Sequence, residues 1–128
     1  MAKYAHADFL DGGLNALKNG AIRMLLLKSY TAGQSYATVT GNAICTVTMA
    51  SGDYTISGAD GAARIVTIAA KSGTASAGSG ATPDLHIAFT DNVSKVLMVT
   101  DETSNQVITI GNTVNFPSLT YTSNQPTT

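Results

Sequence analysis

Leu85-His86-Ile87-Ala88-Phe89, Asp91-Asn92 and Lys95-Val96-Leu97-Met98-Val99-Thr100 together spell out an antiparallel hairpin. In the first arm Leu85, Ile87 and Phe89 alternate with His86 and Ala88, the period of a strand with one face on a core. Asp91-Asn92 turns the chain, and the second arm returns it through a run of β-favouring apolar residues. A chain organised around such a hairpin is expected to consist mainly of antiparallel sheet.

Downstream, Asp101 to Asn105 reads as a polar loop and Val107-Ile108-Thr109-Ile110 as a strand. Gly111-Asn112 is a turn, Thr113-Val114-Asn115-Phe116 leads to Pro117, and Leu119 to Thr122 is a last strand before a polar tail at 123–128. Upstream, Lys71-Ser72-Gly73-Thr74-Ala75-Ser76-Ala77-Gly78-Ser79-Gly80-Ala81 has the composition of a long Gly/Ser/Ala loop. Before it come strands at Ala62 to Ala69, Tyr54 to Ile56 and Asn42 to Met49, and a short extended piece at Tyr36 to Thr40. Ala21-Ile22-Arg23-Met24-Leu25-Leu26-Leu27-Lys28 is nearly all apolar and reads as a buried strand.

The exception to the β pattern lies near the start. Leu10, Leu14 and Leu17 recur at helical spacing, Asp8 can serve as N-cap or first-turn acid, and Asn19-Gly20 is a stop, so residues 9–20 are expected to form one short helix. Gly12-Gly13 weakens that helix by about 1 kcal/mol per Gly relative to Ala, so packing must hold it. The expectation is one β domain over 1–128, an antiparallel sandwich or small barrel with one short N-terminal helix. It comprises an N-terminal segment (1–8), the helix (9–20), the loop (71–81) and the polar tail (123–128).

Composition narrows the function. Charged residues make up only 12% of the chain and the net charge is −1, with the basic residues scattered, so a nucleic-acid partner is not expected. A weakly charged surface rich in Thr, Ser and Ala suits one that rests against other proteins. Met1-Ala2-Lys3-Tyr4-Ala5-His6 lacks the apolar stretch of a signal peptide, and the longest apolar run is too short to cross a bilayer. Synthesis in a cytoplasm without export, and no membrane partner, are expected. Cys45 is the single cysteine and lies in an alternating run, which favours a packed thiol over a nucleophile.

Catalytic chemistry is hard to assemble from these residues. There is no Gly-x-Ser-x-Gly elbow, the glycines at 73–80 lack the Gly-Lys-Ser/Thr ending of a phosphate loop, and His6 and His86 stand far apart in sequence. His86 reads as a structural histidine on its strand, and Asp84 and Asp91 as turn acids. No catalytic residue, cofactor or metal is therefore expected.

Five stretches, taken in order, resemble a family of small virion proteins of tailed bacteriophages. They are Met1-Ala2-Lys3-Tyr4-Ala5; Leu17-Lys18-Asn19; Met49-Ala50-Ser51-Gly52-Asp53-Tyr54-Thr55-Ile56; Val66-Thr67-Ile68-Ala69-Ala70-Lys71-Ser72-Gly73; and Gly111-Asn112-Thr113-Val114-Asn115-Phe116-Pro117. The resemblance implies a capsid decoration (cement) protein that binds the major capsid protein on the outer capsid surface, as a homotrimer. A tail or neck subunit, and a surface-exposed glycan- or receptor-binding β module, are the alternatives. The irregular segments are the expected partner contacts: Met1, Lys3, Tyr4 and His6 at the N-terminus, reaching onto a neighbour as an anchor, and Lys71, Thr74 and Ser76 in the 71–81 stretch.

Overall fold

The structure, a computed structural model, describes residues 2–102 and 104–127. Its element order is α1 (Ala7–Gly20), β1 (Arg23–Leu27), α2 (Tyr36–Gly41), β2 (Ala43–Thr48), β3 (Tyr54–Ser57), β4 (Arg64–Ile68), β5 (Lys71–Thr74), β6 (His86–Thr90), β7 (Val96–Asp101), β8 (Thr113–Phe116) and β9 (Leu119–Ser123). A single 3-10 turn at Ser51–Asp53 precedes β3. The fold is mainly β, and its antiparallel sheets do not close into a barrel.

The 85–100 hairpin forms as its alternation predicts. β6 and β7 pair with Ile87 against Thr100 and Ala88 against Val99, and Asn92 takes φ 61° in the turn. This pair is half of a four-stranded sheet in the order β2-β1-β6-β7; β3-β4-β9 and β5-β8 make the other two sheets.

The apolar run at 24–27 is explained by burial on both faces. Met24 and Leu26 join the main core with Ile87 and Phe89 from β6, and with Leu14 and Leu17 from α1. Leu25 and Leu27 face a second cluster with Val39 and Ala88. Each face contributes apolar burial at about 25 cal/mol per Å², which is why β1 carries no polar alternation.

Three elements differ from expectation. Thr38, Val39 and Thr40 are β-branched and read as extended, yet Tyr36–Gly41 is helical. The Ser35 hydroxyl caps it by accepting from the Thr38 amide at 3.2 Å, and Val39 is fully buried under the sheet. Val107 to Ile110, expected as a strand, is irregular. Side chains take its amides: Ile108 N–H donates to Ser79 Oγ at 2.8 Å and Thr109 N–H to Asn112 Oδ1 at 2.9 Å.

The third difference corrects the 71–81 loop. Its first four residues are β5, pairing Lys71 with Phe116 and Gly73 with Val114. Gly73 looks like linker glycine but is there for space, because a Cβ would lie 3.0 Å from Cys45 Sγ. Ala75 and Ser79 beyond it are buried.

Candidate functional site

The expected partner contacts separate into two groups, and no hydrogen bond or ion pair joins them among the described residues. Met1 lies outside those residues. The rest of the N-terminal segment folds onto its own chain. Tyr4 OH donates to Asp60 Oδ2 at 2.7 Å, and Ala7 N–H donates to Asp60 Oδ1 at 2.9 Å. The Tyr4 bond and then the Ala7 bond hold the Asp60 carboxyl below its usual range, and the same contact with Asp60 pushes the Tyr4 hydroxyl up. Gln125, in the polar tail, exchanges two hydrogen bonds with the Ala5 backbone at 2.8 and 2.9 Å. Lys3 Nζ donates to Thr127 O at 3.0 Å. His6 caps α1, its Nδ1 accepting from the Asp8 amide at 3.0 Å, and Asp8 is the acid of the first turn rather than the cap.

Lys71, Thr74 and Ser76 are likewise engaged internally. Lys71 Nζ pairs with Asp53 Oδ1 at 2.9 Å, and Thr74 sits in the ladder opposite Thr113. The Ser76 amide donates to Ile44 O at 2.8 Å, continuing the contact between this segment and β2. These partners lie far along the chain, so no local pattern in sequence announces them.

An apolar groove lies where α1 approaches β7 and β9. Leu14, Leu17, Leu97 and Met98 floor a groove of about 260 Å³, with Gly13 and Tyr121 at its walls. Gly12 and Gly13 leave the helix bare there: a Cβ at either position meets nothing within 4 Å. β7 is the outer strand of its sheet, and its outer edge receives no backbone hydrogen bond from a described residue. Val96, Leu97, Met98 and Val99 are only half-buried along it. Phe9 and Tyr121 are 70% and 53% exposed. Asp11, one turn from Gly13's neighbours, is already spoken for, since it takes a two-point ion pair from Arg64 at 2.8 and 3.0 Å. The groove between α1, β7 and β9 is thus lined mainly by apolar side chains.

Two further sets of residues carry groups able to react or to ligate. Cys45 is fully buried and burial pushes its thiol up, which keeps it protonated and suited to packing. Asp84, His86 and Asp101 bring one potential ligand atom each to within 4.8 Å of one another at the start of β6 and the end of β7. Asp101 is the cross-strand partner of His86. Sequence spacing hid this trio because a strand pairing, not a local motif, delivers the third member; the hairpin register would have found it.

No family model matches the chain, and no curated protein or solved structure matches it.

Proposed function

We propose that this chain is a non-catalytic structural subunit of a virion, a head decoration protein that binds the major capsid protein on the outer surface of a tailed-bacteriophage capsid and associates with itself as a trimer. The observation that carries the reading is the unpaired apolar edge of β7 beside the groove between α1, β7 and β9. An unpaired strand edge accepts an added strand through backbone hydrogen bonds, and a neighbouring apolar groove supplies side-chain burial. The five-stretch resemblance supplies the identity of the partners. The low charge favours contacts with weak salt dependence.

A decoration protein acts by mass action: it binds assembled lattice better than separated subunits, and its binding free energy adds to lattice stability. Each site needs an interface of about 1,600 Å² in total.

The test uses particles with and without the protein. Undecorated particles should release DNA at lower temperature, and added protein should restore the difference. Gly13→Lys separates binding from folding. It fills the groove's open wall while replacing a mid-helix glycine, so the isolated chain should gain up to about 1 kcal/mol and lose particle binding. Equal heat resistance of the two kinds of particle, or the protein found in tail or neck rings, overturns the head assignment. Saturable sugar binding on a glycan array, lost with Tyr121→Ala, would instead favour the receptor-binding module.

A further inference from the structure

We propose that Asp84, His86 and Asp101 bind a divalent transition-metal cation of the zinc class at the open corner where β6 begins and β7 ends. The first argument is ligand availability. His86 Nδ1 lies 2.9 Å from the Asp84 carbonyl oxygen. A ring nitrogen bonded to a carbonyl must carry a proton, so in the neutral imidazole that a metal binds, Nε2 is the nitrogen with the lone pair. Nε2 faces Asp101 Oδ1 at 3.6 Å. Two ligands of a tetrahedral ion held at about 2.1 Å stand roughly 3.4 Å apart, so this pair is already near coordination spacing. The Asp84 carboxylate completes the trio within 4.8 Å and closes by side-chain rotation, since both acids are exposed. Neither carboxylate accepts a hydrogen bond from a described residue.

The second argument is preorganisation of the backbone. The Asp84 amide donates to Lys28 O at 3.1 Å, the Leu85 amide to Asn105 Oδ1 at 2.8 Å, and the Glu102 amide to Leu85 O at 2.9 Å. The chain is thereby fixed on both sides of the two β6-side ligands and next to Asp101. The Tyr30 ring, 5.6 Å from the His86 ring between centroids, limits the imidazole on a further side. One imidazole and two carboxylates form a mixed N/O donor set suited to zinc, cobalt or nickel, with the remaining positions open to water or to a ligand from another molecule. Bound there, the ion staples the two strand ends, and because it requires the folded register it stabilises the native chain.

The experiment titrates the full chain with Zn²⁺ by calorimetry and with Co²⁺ by visible absorption, alongside thermal melting. One saturable site, visible Co²⁺ bands displaced by Zn²⁺, and a melting temperature that climbs with Zn²⁺ are expected. His86→Ala and Asp101→Asn should weaken binding roughly tenfold or more, while His6→Ala leaves it unchanged. Should His86→Ala fail to fold, the exposed changes Asp84→Asn and Asp101→Asn carry the test. Absence of saturable binding, binding indifferent to all three ligand changes, or loss with His6→Ala in their place would overturn the proposal.

Discussion

At the scale of single residues, backbone geometry and buried polar groups dominate. Gly58 has φ +118°, and a Cβ there would stand 2.5 Å from the Ala63 carbonyl oxygen. Gly58→Ala should cost about 1–3 kcal/mol or more, read as a shift in the urea midpoint with unchanged slope. Tyr54 is fully buried and its hydroxyl donates to Ala21 O at 2.7 Å, tying the end of α1 to β3. Tyr54→Phe keeps the ring's packing and orphans that carbonyl, so a loss of about 1–3 kcal/mol is expected. Asp91 receives the amides of Val93, Ser94 and Lys95 on one oxygen at 2.8–2.9 Å. The Lys95 amide first, then those of Ser94 and Val93, lower its pKa. A carboxyl depressed in the folded state binds its proton more readily when unfolded. Its stabilisation is therefore present above the unfolded value of about 3.9 and fades as pH falls through the lower folded value. Asp91→Asn should flatten that acid limb in melts run between neutral pH and strongly acidic buffer. Asp91-Asn92 was legible as a turn because its side-chain chemistry is local. The need for glycine at 58 was not, since it depends on where the Ala63 carbonyl arrives.

Among the elements, local signals succeeded where the decisive contacts are local. The Leu10, Leu14 and Leu17 spacing yields α1, and the alternation at 85–89 yields β6. They failed at α2, where one cap and one buried valine override β-branched propensity, and at β5, where a glycine needed for close approach imitates a linker. That close approach makes a testable pair. Gly73→Ala should destabilise through its 3.0 Å meeting with Cys45 Sγ, and Cys45→Ala removes the obstructing atom at the cost of a small cavity. The double change should therefore be less destabilising than the two single effects summed, a coupling of about 0.5 kcal/mol or more in a double-mutant cycle. The N-terminal clasp offers a parallel case. Gln125 bonds to both polar groups of Ala5 and to Ala62 O at 3.1 Å. Gln125→Ala should loosen the chain at Ala5, with raised exchange of the Ala5 amide and little change in the exchange of β1 and β6.

For the whole molecule, the sequence conveyed antiparallel sheet and a single short N-terminal helix, because periodicity records which face is buried. It did not convey which strands neighbour one another. Strand order decides both candidate sites: β7 becomes an edge only because β6 sits between it and β1, and Asp101 meets His86 only through that pairing. The placement of β1 between β2 and β6 bears also on how quickly the fold is reached. β1 meets β2 across the 28–42 connection that carries α2, and β6 meets β7 across a tight turn. Each two-strand unit joins strands nearer in sequence than β1 and β6 and can close first. Joining the two units aligns Arg23 with Thr90 and Leu27 with His86, across a long stretch of chain that must first lose its freedom. The rate-limiting event is thus expected to be the β1–β6 docking, which places the protein among slow, high-contact-order folders. Until that docking occurs the apolar faces of both units are open to solvent, so refolding yield should fall as protein concentration rises.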